Sequence, residues 1–410
     1  MRCLCPTRRI RRIPRRIEFF QGTLSSTSEI EDARIFDTTL RDGEQTPRTS
    51  FSYEDKREIA AHLDEMGTHV IEAGFPVNSE AEFEATRDIA AASSTTVCGL
   101  ARVVEKDIEA ALDAGVDMVH VFVSTSDVQL EDSMHATREE AKERAVESVE
   151  RVKEAGVECM FSPMDATRTE EQFLLEVVSE TAGADVDWIN IPDTCGVATP
   201  TRFGKLTAKV VDAADGARID VHTHDDFGLA GANVLAGYEG GASQAQVSVN
   251  GIGERAGNAA YEEVVMALES LYNLDTGIDT TMITELSDMI EEKSDVPVPG
   301  NKPVVGDNAF SHESGIHAAG VIENSDTFEP GVMTPEMVGA ERELVLGKHT
   351  GTHSVRERLV EAGYDPTDDE VREVTRRVKD FGAQSQRVTM SELEKFAREV
   401  GVAEREEVRA

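Results

Sequence analysis

Two histidines separated by one residue, His222 and His224, are the strongest candidates for metal chemistry in this sequence of 410 residues. They fall in a β-rich stretch that predicts a strand, and side chains two apart on a strand point to the same side. A carboxylate, Asp42, follows another predicted strand, and two imidazoles with a carboxylate can bind a divalent cation. Imidazole ligands favour Mn²⁺, Zn²⁺ or Fe²⁺ over Mg²⁺. The alternative is a pair of hydrogen-bonded histidines in the core.

Further polar side chains follow the other predicted strands. In a barrel of parallel strands the catalytic groups lie at the carboxyl ends of the strands, so these residues are expected to meet at one mouth. The candidates at these positions are Arg41, Glu72, Arg102, Ser162, Thr194, Arg255 and Asn258. Gly251 and Gly253 precede the last two and predict a loop that brings them to the same rim.

The elements that would position these residues repeat eight times from residue 34 onward. Short β-rich runs alternate with amphipathic stretches of helix length, such as Tyr53 to Met66 and Arg138 to Ala155. The eight strand candidates begin at Arg34, His69, Thr96, Met118, Val157, Asp187, Ile219 and Gln246. Eight such units in roughly 240 residues predict an α/β fold, a (β/α)₈ TIM barrel. A doubly wound open sheet is the alternative, although it rarely needs eight units.

The rest of the chain divides into three segments. Residues 1–32 carry seven arginines in their first twenty positions; we expect a disordered or mis-annotated N-terminal extension, with an organelle-targeting segment as the alternative. Residues 33–275 form the predicted catalytic barrel. Residues 276–306, with prolines at 297, 299 and 303, predict a linker. Residues 307–410 predict a mainly helical C-terminal subdomain.

Acidic residues outnumber basic ones, with 79 Asp and Glu against 41 Lys and Arg and a formal net charge of −38. This charge argues against a nucleic-acid partner, because phosphate binding needs a basic surface. An even spread of acid is typical of halophilic proteins, whose exposed charges are screened by salt. The five scattered cysteines form no disulfide or zinc pattern, and the apolar runs are too short to cross a membrane. We expect a cytoplasmic protein with no membrane partner.

The sequence resembles the DRE-TIM metallolyase superfamily, and within it the 2-isopropylmalate, homocitrate and citramalate synthases. The resemblance covers about residues 34–400 and rests on several motifs jointly. These motifs are Asp37-Thr-Thr-Leu-Arg-Asp-Gly-Glu-Gln-Thr46, Ile71-Glu-Ala-Gly-Phe-Pro76, Asp193-Thr194, His222-Thr-His-Asp-Asp226, Asn250-Gly-Ile-Gly-Glu-Arg-Ala-Gly-Asn258, His312-Glu-Ser-Gly-Ile-His317 and Leu346-Gly-Lys-His-Thr-Gly351.

The resemblance implies a condensing enzyme. In this family the enolate of acetyl-CoA attacks the ketone of a 2-oxo acid, and the thioester is then hydrolysed. The implied cofactor is a divalent cation such as Mn²⁺, Zn²⁺ or Mg²⁺, with acetyl-CoA as co-substrate. The resemblance also implies a homodimer in which the C-terminal subdomain of one chain covers the barrel mouth of the other.

Roles for single residues follow from motif position. The implied metal ligands are Asp42, His222 and His224, with Asn258 as a further ligand in some members. The implied catalytic residues are Arg41, which adds a positive donor at the carbonyl, Glu72, the acid that helps hold the rim, and His317, which corresponds to a catalytic histidine supplied across the dimer. We expect the 2-oxo acid to contact Arg102, Ser162 and Thr194, and CoA to approach Gly251, Gly253 and Arg255.

Two positions depart from the family pattern. Met164 stands where these synthases usually carry Glu after the serine of the fifth strand, and Phe328 stands where they usually carry Tyr. Neither side chain can exchange a proton, and general acid–base help is typically worth ~10²–10⁴ in rate. The expected substitutes are His317, Glu313 or a water on the metal, with Asp165 as the next acid along the chain.

The leading interpretation is a 2-isopropylmalate synthase acting on 2-oxoisovalerate in leucine biosynthesis. An (R)-citramalate synthase acting on pyruvate and a homocitrate synthase acting on 2-oxoglutarate are the alternatives, because one methylene is worth only ~1–3 kcal/mol in substrate selection. An alternative of another class is a catalytically weak paralogue that serves as a regulatory or structural subunit. A lyase that runs the reverse cleavage is the weakest alternative.

Overall fold

Eight parallel strands close into a barrel in the computed structural model, which describes residues 33–313, 332–384 and 388–405. Each strand pairs with the next, and β8 pairs with β1. The strands are β1 Arg34–Asp37, β2 Val70–Gly74, β3 Thr96–Arg102, β4 Met118–Ser124, β5 Glu158–Met164, β6 Trp188–Asp193, β7 Arg218–Thr223 and β8 Gln244–Val247. The predicted TIM barrel is confirmed, although β8 begins before its predicted start at Gln246.

A helix follows each strand and covers the outside of the barrel. These helices are α1 Tyr53–Met66, α2 Glu80–Ala92, α3 Glu105–Asp113, α4 Arg138–Glu154, α5 Glu171–Gly183, α6 Pro200–Ala213, α7 Ala230–Glu239 and α8 Tyr261–Ser270. α1 and α4 begin where the sequence indicates, because Ser52 and Thr137 each form a capping box with the acidic residue three positions on. Short helical turns occupy the loops at Gly43–Gln45, Pro76–Asn78, Asp127–Gln129, Leu130–Met134, Ala166–Arg168 and Val249–Gly251.

Alternation along the strands divides the barrel interior into an apolar layer and a mostly polar layer. The apolar layer is a buried cluster of Phe36, Val70, Cys98, Met118, Met160 and Trp188. Two residues further along the same strands stand Thr38, Glu72, Leu100, His120, Ser162 and Asn190. These side chains face the same interior, because residues two apart on a strand share a side. The polar layer therefore forms the floor of the open, carboxyl-terminal end of the barrel.

Residues 276–306, the predicted linker, contain a helix that packs on the barrel. A single turn, Thr280–Met282, leads into α9 Ile283–Ser294, whose apolar side chains belong to the main core. Asn250 of the loop after β8 donates to the Ser287 carbonyl at 2.9 Å and accepts from the Ser287 hydroxyl at 2.6 Å. The first part of this segment thus extends the barrel.

Three helices near the C-terminal end surround a second core. They are α10 Thr352–Glu361, α11 Asp368–Gly382 and α12 Met390–Val400, within the segment predicted to be mainly helical. Their core includes Leu359, Val374, Val378 and Leu393 and is separate from that of the barrel. The turn Pro335–Val338 adds Val338 to the main core, and the short strands β9 Ser311–His312 and β10 Glu343–Leu344 pair with each other in parallel. Among the described residues, no helix combines the length and apolar character needed to cross a membrane.

Candidate active site

Asp42, His222 and His224 converge at the mouth of the barrel. The Nε2 atoms of the two histidines lie 3.1 Å apart. Asp42 Oδ2 lies 3.2 Å from His222 Nε2 and 3.8 Å from His224 Nε2. All three side chains are buried, and one ligand atom of each lies within 4.8 Å of the others. Atoms this close together can share one cation at the usual ligand distances of about 2.0–2.2 Å.

Unpaired buried oxygens at this cluster fit a divalent cation. Asp42 Oδ2 is buried and, apart from the Nε2 atoms of the two histidines, has no polar partner among the described residues. That state is costly for a carboxylate oxygen unless a ligand uses it. Asn258 Oδ1 is also buried without a described partner, and Asn258 lies beside His224 in a β-bridge. The donor set is therefore two imidazoles and a carboxylate, and Asn258, whose backbone pairs with that of His224, is the candidate for a fourth ligand.

Charges near the cluster hold its groups in the forms that bind a cation. Burial raises the pKa of Asp42, but Arg41 and the two histidines outweigh it and hold that pKa well below its usual range. Burial, together with His222, lowers the pKa of His224 to about 4. At neutral pH Asp42 is therefore ionised and His224 carries a free lone pair, as metal binding requires.

Two loops bring these ligands together. Asp42 follows β1 in a tight turn in which its backbone N–H donates to the Thr38 carbonyl at 2.8 Å. In the loop after β8, a Cβ at Gly253 would lie 2.3 Å from Asn258 Nδ2, and one at Gly257, whose φ is +93°, would lie 1.9 Å from the Gly251 carbonyl oxygen. Glycine at positions 253 and 257 is therefore what leaves room for Asn258 beside the histidines.

A continuous chain of hydrogen bonds crosses the cavity floor. Arg41 Nε donates to Glu72 Oε2 at 2.7 Å, and Glu72 Oε1 lies 2.8 Å from His120 Nδ1. His120 Nε2 lies 2.6 Å from Ser162 Oγ, and Ser162 donates to Asn190 Oδ1 at 2.9 Å. Residues from five different strands or their following loops are thereby held in one network, which fixes the guanidinium of Arg41 next to Asp42.

The charge states along this chain differ from end to end. Burial opposes ionisation of Glu72, but Arg41 and His120 lower its pKa to about 2. Burial lowers the pKa of His120 even though Glu72 opposes the shift. At the far end Asp220 accepts from Asn190 Nδ2 at 2.6 Å, and burial raises the pKa of Asp220 to about 7. Glu72 is therefore ionised and His120 neutral at neutral pH.

A cavity of about 280 Å³ opens above this floor and beside the metal-ligand cluster. An apolar wall consists of Phe75, Leu100, Phe122, Met164 and Pro192, which come from β3 to β6 and the loop after β2. Arg41, Asp42, His222, His224 and Thr194 line the cavity from β7 and the loops after β1, β6 and β7. Apolar surface combined with convergent polar groups is common in small-molecule sites. The cavity could hold a small acid with its polar end at the cluster and its alkyl end at the apolar wall.

Thr194 and Arg255 differ in what they offer this cavity. Thr194 Oγ1 accepts from the Asp165 backbone N–H at 2.9 Å, and because none of the described residues accepts its own hydroxyl proton, that proton remains for a ligand. Arg255 donates from Nε and Nη2 to the Asp226 carboxylate, each at 2.8 Å, and from Nη2 to the Thr194 carbonyl at 2.8 Å. Arg255 thus ties together the loops after β6, β7 and β8.

Other predicted site residues lie elsewhere. Arg102 does not line the main cavity: its side chain is 57% exposed, and Asp107 in the first turn of α3 holds it through Nε at 2.6 Å and Nη2 at 3.2 Å. Gly251 and Gly253 line a neighbouring cavity of about 240 Å³, which Arg255 also lines. His317 and Phe328 lie outside the described residues. The structure thus gives no support to Arg102 as a substrate contact.

Several residues of the floor and wall have no role in the predictions from the sequence. They are His120, Asn190, Asp220, Gln246 and Phe122. The signal that could have found His120 and Asn190 is the period of two, since each follows a residue of the apolar layer by two positions. Asp165, the acid next to Met164, is fully buried and held by Arg168 and Ser126, so it is not available in the cavity.

The barrel and its site define the class of protein: a (β/α)₈ barrel with a candidate divalent-metal cluster at the carboxyl ends of its strands. Comparison with family models gives a more specific result. The HMGL-like model matches residues 32–290, and the model described as homocitrate synthase post-HMGL domain-like matches residues 304–386. The chain belongs to the HMGL-like family, which confirms the resemblance to the DRE-TIM metallolyases.

Known relatives and solved structures agree with this assignment. A Methanopyrus kandleri protein named "Probable 2-isopropylmalate synthase" is 54% identical over 85% of this chain and 70% of its own length. A Sulfolobus acidocaldarius protein named 2-isopropylmalate synthase is 46% identical over 92% of this chain and 97% of its own length. The crystal structure of an HMG-CoA lyase from Bacillus subtilis covers 65% of this chain and 95% of that chain at 22% identity with a TM-score of 0.58, which shows a shared fold.

Proposed function

We propose that the protein is a 2-isopropylmalate synthase, which condenses acetyl-CoA with 2-oxoisovalerate and hydrolyses the resulting thioester. The observation that carries this proposal is the convergence of Asp42, His222 and His224 at a cavity that five apolar side chains also line. A 2-oxo acid with an alkyl side chain needs both features. The names of the relatives support the same reaction.

The polar side of the cavity would hold the reacting end of the 2-oxo acid. A divalent cation held by Asp42, His222 and His224, with Asn258 as a further ligand, would polarise the ketone and stabilise negative charge on its oxygen. The nitrogen ligands favour Mn²⁺ or Zn²⁺ over Mg²⁺. Arg41, fixed by Glu72, adds a positive donor at the same place. The free hydroxyl proton of Thr194 suits a contact with the substrate carboxylate.

Charge and volume favour 2-oxoisovalerate over the alternative acids. Of the described residues that line the cavity, Arg41 and Arg255 carry guanidinium groups, and Glu72 and Asp226 already hold them. A second carboxylate, as in 2-oxoglutarate, would therefore meet an apolar wall without a free cation. Pyruvate would leave part of that wall uncovered, at a cost of ~1–3 kcal/mol for each missing methylene. The branched alkyl side chain of 2-oxoisovalerate fits these constraints best.

Acetyl-CoA would reach the site across the loop after β8. Gly251 and Gly253 line the neighbouring cavity, and Arg255 lines both cavities. The glycines keep the backbone accessible, so this loop can lie against the CoA chain while the acetyl group enters the main cavity. We therefore assign Gly251, Gly253 and Arg255 to the CoA path. Arg255 borders this path and links the loops after β6, β7 and β8.

Exposed apolar side chains at the mouth support a homodimer in which a second copy covers the site. Of the seven described large apolar residues that are exposed, Val104, Val128, Val197 and Phe227 lie in loops that follow strands at this end; the other three, Val211, Leu271 and Met390, lie in or directly after helices. Phe227 is 74% exposed. Such a rim favours a partner surface, here the C-terminal subdomain of the second chain with His317. We further propose a cytoplasmic enzyme adapted to high salt.

The direct test offers three 2-oxo acids to the purified, metal-loaded protein in concentrated KCl. With acetyl-CoA and Mn²⁺, the release of free CoA thiol and the mass of the product are measured for 2-oxoisovalerate, pyruvate and 2-oxoglutarate. We expect 2-oxoisovalerate to give the highest kcat/KM, at least ~10-fold above the others. A preference for pyruvate or 2-oxoglutarate would replace the proposed substrate, and metal binding without turnover would favour the weak-paralogue alternative.

A further inference from the structure

Glu72, His120 and Ser162 form a carboxylate, imidazole and hydroxyl series in the floor of the main cavity. Glu72 Oε1 lies 2.8 Å from His120 Nδ1, and His120 Nε2 lies 2.6 Å from Ser162 Oγ. His120 and Ser162 both line the cavity, although they are only 3% and 5% exposed. In this order of groups, a hydroxyl can pass its proton to the imidazole while the carboxylate stabilises the positive charge that results.

The hydrogen bonds of the series leave one acceptor too many when His120 is neutral. Ionised Glu72 can only accept, so the proton of neutral His120 lies on Nδ1 and Nε2 is an acceptor. Asn190 Nδ2 donates to Asp220, so Asn190 Oδ1 faces Ser162 as a second acceptor. Ser162 has one hydroxyl proton for these two acceptors.

Protonation of His120 at Nε2 removes this conflict. Nε2 then donates to Ser162 Oγ, and Ser162 donates to Asn190 Oδ1, so each buried group in the series has a partner. The series can therefore take up one proton without leaving a buried polar atom unpaired. This property suits a step in which a proton must be removed from a substrate, stored and returned.

We propose that His120, acting through Ser162 and held by Glu72, is the general base that removes the methyl proton of acetyl-CoA. This inference rests on the proposed function. The C–H bond breaks as its proton passes to Ser162 Oγ, the serine proton passes to His120 Nε2, and the C–H electron pair becomes the enolate. After the enolate carbon bonds to the ketone carbon, the same route returns the proton to the alkoxide oxygen.

Other titratable groups of the cavity are engaged elsewhere. Arg41 and Arg255 are held by carboxylates, and Asp42, His222 and His224 form the metal-ligand cluster. Glu254 also lines the cavity but is exposed at the rim.

The pKa of His120 depends on its burial and on three neighbouring groups. Glu72 favours its protonated form, whereas burial, Arg41 and His222 favour the neutral form. His120 is therefore in the basic form at neutral pH and still has a carboxylate partner for the proton it accepts.

The test begins with His120→Gln. We expect kcat to fall by ~10²–10⁴, while Mn²⁺ binding stays within about threefold of the wild type, because His120 is not one of the cluster ligands. The fall of kcat toward acidic pH, caused by protonation of His120, should disappear. The isotope effect with methyl-deuterated acetyl-CoA should rise, because proton removal then limits the rate.

Ser162→Ala should lower kcat and raise the isotope effect in the same way. His135→Gln, a histidine change at the surface, is the matched control with unchanged kcat.

A second variant separates a base from a merely structural histidine. Met164 lines the cavity two residues after Ser162 on β5, so Met164→Glu would add a carboxylate base there. In the His120→Gln background this change should restore kcat by at least ~10-fold. Normal kcat in His120→Gln, or no rescue by Met164→Glu, would overturn the inference. The inference would also be overturned if Glu254→Gln, in a protein that keeps His120, removed the fall of kcat toward acidic pH. Failure of the wild type to condense any of the three 2-oxo acids would instead overturn the proposed function.

Discussion

Arg41 and Glu72 form a buried ion pair in which Nε and Oε2 lie 2.7 Å apart, and this pair joins the loop that carries Asp42 to the second strand of the barrel. Glu72 is fully buried and also accepts from the Thr38 hydroxyl at 2.6 Å. Removal of one partner from such a pair leaves an uncompensated buried charge, which is more costly than the pair is stabilising.

Glu72→Gln should therefore destabilise the protein and impair turnover together. We expect the free energy of unfolding to fall by ~3–5 kcal/mol and kcat to fall by at least ~100-fold, since Arg41 loses its orientation at the reacting end of the cavity. Chemical denaturation and steady-state kinetics measure these effects. The control is Asp127→Asn, which removes the exposed ion pair of Asp127 with Arg138 and should cost less than ~1 kcal/mol. Equal losses in the two variants would contradict the prediction.

His224→Ala should abolish metal binding without unfolding the barrel. The variant removes one of three clustered ligands, so the affinity for Mn²⁺ should fall by at least ~100-fold, more than when a residue that only hydrogen-bonds to a ligand is changed. Isothermal titration calorimetry measures the affinity, and circular dichroism confirms the fold. His135→Gln should bind Mn²⁺ normally. A His224→Ala variant with unchanged affinity would show that the cluster is not the metal site.

Thr194→Val should weaken binding of the 2-oxo acid. The change removes the hydroxyl proton of Thr194, which is available because Thr194 Oγ1 accepts from the Asp165 N–H. KM for the 2-oxo acid should therefore rise by roughly 10-fold, as expected for the loss of one hydrogen bond to a charged group. Thr194→Ser should restore KM. Arg102→Gln is the contrasting variant and should leave KM within about twofold, because Asp107 holds that side chain outside the cavity. A large KM effect in Arg102→Gln would reinstate the expected substrate contact.

Asp37→Asn should change how stability depends on pH. Burial raises the pKa of Asp37 from 3.8 to about 7, so between these values the folded state holds a proton that the unfolded state has released. The stability contributed by this group is therefore complete below about pH 4 and is lost as the pH rises toward about 7. Asp37→Asn removes this loss, so its unfolding free energy relative to the wild type should rise by ~2–4 kcal/mol across that interval.

The matched control for this pH series is Asp185→Asn, whose native side chain is 93% exposed. Its stability curve should run parallel to that of the wild type, when both are measured at one KCl concentration. An Asp37→Asn curve that is also parallel to the wild type would show that Asp37 is ionised in the folded protein.

The architecture of the barrel could be predicted from the sequence because local sequence patterns specify its strands and helices. Strand and helix periods, capping residues such as Ser52 and Thr137, and turns rich in glycine act over a few residues each. The clustering of Asp42 with His222 and His224 was also predictable, since residues after parallel strands meet at one face of a closed barrel.

Only the tertiary structure decided which of these polar groups bind each other. Arg41 and Arg102 look alike as residues near strand ends, yet Glu72 draws one into the cavity and Asp107 holds the other outside. The partners of His120 come from β2 and β5, separated from it by 48 and 42 residues. Such pairings depend on how far each strand is displaced along the barrel when it closes, and local sequence periods contain no information on that displacement.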